Sequence, residues 1–426
     1  MLTKKLTNLH GKRIREYTWG KFPIVKETRT PFSRTLQLCC VPILHYKRIY
    51  SSFTAQNPQL PDIASFNKQI AAHPTNRVIL WIDHNLGGGT ETYSYKQFTI
   101  LKKEALVLRL QYWHDFDLFF LHTPNREIGY CLFNSLDELT DLPCTEIVVN
   151  NLVGYKNALD VLKTVNQFKK RHPEIKVSAR GHDYFGICPS YTLLDSNEKF
   201  CGLKDLSACA SCCEKQTFHP LLRSGFHDIV SWRKGWQEFF DNTLDELIVF
   251  SKSTQLLFER VYPQLKTKIK IIAHQVSPLP VVTVAPHKTV NIGFLGGASN
   301  VAKGKKVIEQ ICAQNTDPNT TFTVIGPYDK PSTVLNVSGE YRREDLPKLI
   351  KKYQLDIIFI PSIVPETFSY TTTEAMDMGL PVACYNMGAP AERVAGYKKG
   401  LVLNEINPKQ NLQEIISFVL KNRKEN

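Results

Sequence analysis

The chain has 426 residues, 42% hydrophobic and 22% charged, and carries a formal net charge of +13. That length exceeds a single ordinary core and that composition excludes a disordered chain, so two main domains are expected. No apolar run approaches the roughly 20 residues that span a bilayer, and the start "MLTKKLTNLHGKRIRE" lacks the apolar segment of a secretory signal, so the expectation is a cytoplasmic protein.

Residues 1–50 read as a basic N-terminal extension. They hold Lys4, Lys5, Lys12, Arg13, Arg15, Lys21, Lys26, Arg29, Arg34, Lys47 and Arg48 against Glu16 and Glu27. Such a charge excess suits an anionic membrane surface, a nucleic acid or plain solvation. From Arg77 the pattern turns to a strand "RVILWID", a glycine-rich turn and a helix "ETYSYKQFTILKK". The runs "ALVLRLQY", "DLFFLHTP" and "IGYCLFN" follow without helices between them, which predicts an antiparallel insertion. Strand and helix then alternate through "EIVVNN", "NALDVLKTVNQFKKRH", "IKVSAR", "ELIVFS" and "KSTQLLFERVYP". Repeated strand–helix units imply a mostly parallel sheet covered on both faces. The proline-bearing run from Ser277 to His287 reads as a linker. After it come "VNIGFLGG", a helix from Lys303, "TFTVIG", a helix near Glu344, "DIIFIPS", "VACY" and a last helix from Asn411. The organisation expected is an extension over 1–50, an N-terminal α/β domain over 51–276, a linker over 277–287 and a C-terminal α/β domain over 288–426.

Chemistry concentrates after "DIIFIPS". A helix should begin near Ser369 or Tyr370, because Gly379 can end it and Pro381 forbids its continuation. Glu366 then lies in the loop and Glu374 early in the helix, beside backbone N–H groups that can hold a diphosphate. The string "PSIVPETFSYTTTEAMDMGLPVACYNMGAPAERV" resembles the donor-binding signature of retaining glycosyltransferases of the GT-B fold, glycosyltransferase family 4, of the bacterial surface-polysaccharide type. The resemblance implies two Rossmann-like domains facing each other across a cleft, with the last helix able to pack back on the N-terminal domain. It implies transfer of a sugar from a UDP-, GDP- or dTDP-sugar to a glycan or lipid-linked glycan in lipopolysaccharide or capsule synthesis. The anomeric configuration would be retained, with a diphosphate oxygen as base and no catalytic metal.

By the same resemblance Glu366 orients the sugar and Glu374 the ribose, with Phe368, Ser369 and Tyr370 around them. In "VNIGFLGGASNVAKGKK", Gly296 and Gly297 approach the donor and Lys303 neutralises its diphosphate; many members carry an Arg where this chain has Ala298, and Lys305 or Lys306 could substitute. "WIDHNLGGGTE" resembles the family's first glycine-rich loop, placing Gly88 and Gly89 at the donor, and "SARGHDYFG" places His182 at the sugar with Asp183 next to it. Cys188, Cys201, Cys209 and Cys212 can supply four thiolates to a structural zinc; free thiols are the other reading. Membrane attachment through the basic segment is then preferred over nucleic acid, from a peripheral position on the inner membrane face. Two rival functions stay open. One is a glycoside hydrolase using Glu366 and Glu374 as paired carboxylates, and the other is a zinc-stabilised nucleic-acid binder.

Overall fold

The structure is a computed structural model that describes residues 2–9, 12–19, 22–29, 33–38, 41–47, 62–114, 116–139, 141–216, 226, 228–329 and 333–424. It is an α/β protein with two compact units, one made of Met1–Arg180 with Phe218–Leu247 and the other of Gly181–Thr217 with Ile248–Asn426.

The leading basic segment forms strands that its charge pattern did not announce. β1 (Leu2–Leu9), β2 (Lys12–Trp19), β3 (Phe22–Arg29), β4 (Ser33–Leu38) and β5 (Val41–Lys47) make an antiparallel sheet in sequential order. Opposite charges face each other across it, Arg15 with Glu27 and Glu16 with Lys26, and cross-strand pairs of that kind favour the register. Of the basic residues named above, Lys21 and Arg48 lie outside the described residues.

β6 (Val78–Ile82), β7 (Leu106–Trp113), β8 (Leu118–His122), β9 (Tyr130–Phe133), β10 (Glu146–Val149), β11 (Lys176–Arg180), β12 (Glu246–Val249) and β13 (Ile269–Ile271) form a sheet ordered β13-β12-β11-β10-β6-β7-β8-β9. β6 runs parallel to β7 and β10, while β7, β8 and β9 are antiparallel, as the missing helices implied. The gap at which the strand order reverses lies between β6 and β10. Asp83 and Asn150, the residues next after these two strands, meet: buried Asp83 pairs with Arg109 at 2.9 Å and accepts hydrogen bonds from Asn150 and Ser94.

One register row of this sheet carries a pH liability. His122 stands directly opposite Arg109 on β7, and among the described residues neither of its ring nitrogens has a hydrogen-bond partner. Burial, aided by the Arg109 charge, pushes its pKa down from 6.5 to about 4. The unfolded chain therefore binds the extra proton between those values, and stability falls as pH drops from about 6.5 towards about 4. At about pH 5 the expected loss is about 2 kcal/mol. Melting curves at pH 7.5 and about pH 5 should diverge less in His122→Leu than in the wild type; equal divergence would clear His122 of this role.

The third sheet comprises β14 (Val290–Leu295), β15 (Thr320–Ile325), β16 (Leu335–Val337), β17 (Ile357–Ile360), β18 (Val382–Tyr385) and β19 (Gly400–Leu403). It is parallel and ordered β16-β15-β14-β17-β18-β19. Alternate residues feed two cores. Ile357 and Phe359 join the helices Lys305–Gln314 and Pro408–Lys424 on one face, and Ile358 and Ile360 join Leu346–Lys352 and Tyr370–Asp377 on the other. Burial on both faces explains why "IIFI" is an unbroken apolar run. The proline-bearing run is tied to this unit: Leu279 and Val282 enter the second core, and the Val282 N–H donates to Met378 O at 2.9 Å. The last helix sets Leu412, Ile415 and Val419 into the first core, and Arg423 hydrogen-bonds Asp356 and Thr289 O.

Candidate active site

Counting from β14, the third sheet has the order 3-2-1-4-5-6, whose reversal falls between β14 and β17. Ligands of open parallel sheets collect outside the carboxyl ends of the strands at such a point. The loops leaving these two strands carry the residues singled out above.

After β14 the chain turns through Gly296 and Gly297, both at positive φ. A Cβ on Gly297 would press on Lys303 Cγ, and one on Gly296 on Thr371 Cγ2, each at 3.3 Å. Gly304 then takes φ +88 against the Pro361 carbonyl, and the helix Lys305–Gln314 starts behind it. This brings Lys303 Nζ to 2.5 Å from Glu366 Oε2. Ser362 donates a hydrogen bond to the other Glu366 oxygen. Burial opposes ionisation of Glu366, yet the Lys303 charge and hydrogen bonds from Lys303, Ser362 and Ser369 outweigh it and hold the carboxyl below its ordinary range. A glycosidase acid needs the opposite, a raised pKa, so Glu366 does not suit the proton donor of the hydrolase reading.

Ser369 caps the helix Tyr370–Asp377 at φ +69, a backbone region costly for a residue with a Cβ. Arg393 holds it there. Its guanidinium donates to the carbonyls of Phe368 and Ser369 and to Thr373 Oγ1, and it stacks over the Phe368 ring at 4.7 Å. Glu374, in the second helical turn, pairs with Arg343 Nε at 2.9 Å, and the same guanidinium donates to Ser277 O at 2.6 Å. Burial and the Glu374 charge raise the neighbouring Tyr341 to about 12.

An aromatic row adjoins the helix start. His274 stacks on Phe368 at 4.3 Å, meets Phe250 at 4.0 Å and hydrogen-bonds the Tyr370 hydroxyl at 2.8 Å. The His182 ring lies 5.5 Å from that of His274.

Lys303, Glu366, Gly296, Gly297, Phe368, Ser369, Tyr370, Glu374 and His182 thus fall in one unit. Gly88 and Gly89 lie in the other, at the start of the helix Gly88–Leu101. Sequence reasoning missed Arg343, Arg393, Ser362 and His274; Arg393 and Ser362 stood inside the quoted signature. Neither lysine offered in place of the absent Arg is uncommitted: Lys305 pairs with Asp329 and Lys306 with Glu198. Ala298 itself is core.

The zinc reading is not supported. Among the described residues no group of three or more His, Cys, Asp or Glu side chains is arranged to hold a metal ion. Cys188 hydrogen-bonds instead with Cys213, and that bond together with burial raises its pKa well above the ordinary value. Cys209 donates to Lys204 O, and Cys212 accepts from Ser196 N–H. These sulfurs take local hydrogen-bond partners rather than converging on one point.

Residues 286–426 match the family described as "Glycosyl transferases group 1". Among solved structures the chain is similar to sucrose-phosphate synthase from Thermosynechococcus elongatus, at 14% identity and TM-score 0.52, covering 81% of this chain and 90% of that one. It is similar to the lipopolysaccharide outer core galactosyltransferase WaaB in its apo form, at 10% identity and TM-score 0.52, covering 81% and 91%. HepE from Anabaena in complex with UDP aligns at 13% identity and TM-score 0.51, covering 82% and 91%. No curated protein sequence matches the chain. The family match over the third sheet and its helices, set in this fold, makes the chain a glycosyltransferase of GT-B architecture.

Proposed function

We propose that this glycosyltransferase moves a sugar from a nucleotide-sugar donor to a glycan or lipid-linked glycan, with retention of anomeric configuration as in glycosyltransferase family 4. The observation that carries this reading is the contact of Lys303 with Glu366 at the strand-order reversal, next to the Ser369 helix start. Lys303, the Gly296–Gly297 turn and the helix N-terminus stabilise charge on the departing diphosphate, the group whose charge grows in the transition state. Glu366 orients the sugar hydroxyls, His182 faces the sugar, and Glu374 accepts from the ribose diol. A diphosphate oxygen takes the acceptor proton, so no protein nucleophile is needed.

UDP is the favoured nucleotide, since HepE, of the same fold, is described in complex with it. Surface-polysaccharide synthesis is the favoured setting, by likeness to WaaB. The excess of eleven lysines and arginines over two glutamates in residues 1–50 supports contact with anionic lipid at the inner membrane face. Among the described residues no helix is long and apolar enough to cross a membrane.

A nucleotide that binds only the folded state must raise the melting temperature. UDP, GDP and dTDP are therefore compared by thermal shift, and the matching sugars by release of nucleoside diphosphate. One nucleotide should stabilise the wild type, and Glu374→Ala should weaken its binding by roughly 10- to 100-fold, the worth of one charge-assisted bond. Undiminished affinity in Glu374→Ala would remove Glu374 from the ribose; no stabilisation by any of the three would overturn the donor assignment.

A further inference from the structure

The loop that carries Glu366 is held from outside its own strand and helix. Tyr184 OH donates to Pro365 O at 2.8 Å, and Thr367 Oγ1 donates to His182 O at 2.7 Å. These bonds grip the residues on either side of Glu366, and both reach the short segment from His182 to Tyr184. On the far side the Ala389 N–H donates to Glu366 O at 2.8 Å. Gly388 lets that approach happen, since a Cβ there would sit 2.5 Å from Glu366 N.

The anchoring segment is itself fixed. Tyr184 is buried at 2% exposure, its N–H donates to Tyr191 O, and Ile187 N–H returns to Tyr184 O, both at 2.8 Å. Asp183 accepts from the Phe185 N–H at 2.9 Å, and Tyr262 OH donates to Gly186 O at 2.7 Å. A hydroxyl of a fully packed ring therefore points at one carbonyl of the Glu366 loop. The loop in return binds the backbone of His182, whose ring continues the aromatic row beside the helix start.

We propose that Tyr184 and Thr367 are positioning residues for glycosyl transfer, a pair of hydrogen bonds that sets Glu366 and His182 at one fixed separation. The proposal rests on the assignment of Glu366 to the donor sugar. Neither residue touches the diphosphate or the ribose in this reading, so their loss should leave nucleotide affinity intact and slow the chemical step. A shift of about 1 Å in a group that orients a substrate can cost roughly 100-fold in rate. Partial loosening by removal of one bond is expected to cost about ten-fold in kcat, the rate effect of an interaction felt in the transition state.

The test uses the full chain with the donor found by the nucleotide screen. Tyr184→Phe and Thr367→Val keep ring and volume while removing the hydroxyl, and Thr367→Ser restores a hydroxyl without the methyl. Expected are a fall of about ten-fold in kcat for the first two, unchanged UDP affinity, and recovery in Thr367→Ser. A merely structural role would lower the melting temperature and leave kcat of the folded protein unchanged, and that result overturns the proposal. Glu366→Gln is measured alongside. If it is impaired while Tyr184→Phe and Thr367→Val turn over at full rate, the positioning idea fails; if Glu366→Gln is itself unimpaired, the donor-sugar assignment beneath it fails.

Discussion

Glu366→Gln is expected to lower turnover by roughly 100-fold or more while leaving nucleoside diphosphate affinity equal or tighter. Lys303 pairs with Glu366 at 2.5 Å. A lysine that neutralises a diphosphate cannot also give its full charge to a carboxylate, so donor binding must share or release that contact. Glutamine keeps the shape of the side chain and removes the charge that competes for Lys303. The half-exposed ammonium then loses little by standing in water and is available to phosphate oxygens. What glutamine lacks is a charged acceptor for sugar hydroxyls, and charge-assisted bonds are about twice as strong as neutral ones. The signature of the assignment is therefore a split, with kcat down and affinity for UDP held. Isothermal titration with UDP and a nucleotide-release assay read the two halves separately. Parallel loss of both would make Glu366 a support for Lys303, and undiminished turnover would remove it from the site. Lys303→Ala is the mirror image, losing affinity first.

The same site shows what a sequence can and cannot disclose. "DIIFIPS" was readable as a buried strand because both faces of β17 are covered and every residue of "IIFI" is apolar. The helix after it was readable from its end, where Gly379 takes φ +73 and Pro381 follows. "KRIREYTW" and "FPIVKETR" hid strands β2 and β3, since charged residues paired across strands replace the apolar alternation that marks a half-buried sheet. Partners were the least legible part. Arg343 and Glu374 are 31 positions apart, and the Arg393 contacts with Phe368 span 25; spacing along the chain says nothing about which guanidinium folds back on which carboxylate or carbonyl. The cysteines failed for a related reason. A CxxC spacing offers two thiols to one metal, but Cys188 turned to Cys213, a residue outside the set that spacing favoured.

Gly304→Ala is expected to damage stability and turnover together, because this glycine joins the fold to the chemistry. It occupies φ +88, and a Cβ built on it would overlap the carbonyl oxygen of Pro361 and lie 2.8 Å from the Pro361 carbonyl carbon. Those are backbone atoms at the end of β17 and cannot rotate aside. The left-handed conformation alone costs an L-residue about 1–2 kcal/mol, and displacing packed backbone adds a further penalty of about 1–3 kcal/mol. A loss of about 3 kcal/mol would lower the melting temperature by roughly 6–12 °C for a domain of this size. Relief of the overlap must push the Lys303 loop away from the loop of Pro361 and Glu366, so the Lys303–Glu366 contact should open as well. Gly339→Ala is the control: its φ is +76, but nothing lies within 4 Å of the added Cβ, so it bears the backbone cost alone. The difference between the two melting temperatures measures the steric share. If Gly304→Ala melts no lower than Gly339→Ala and binds UDP as the wild type does, the two loops do not meet as described, and the placement of Lys303 beside Glu366 loses its support.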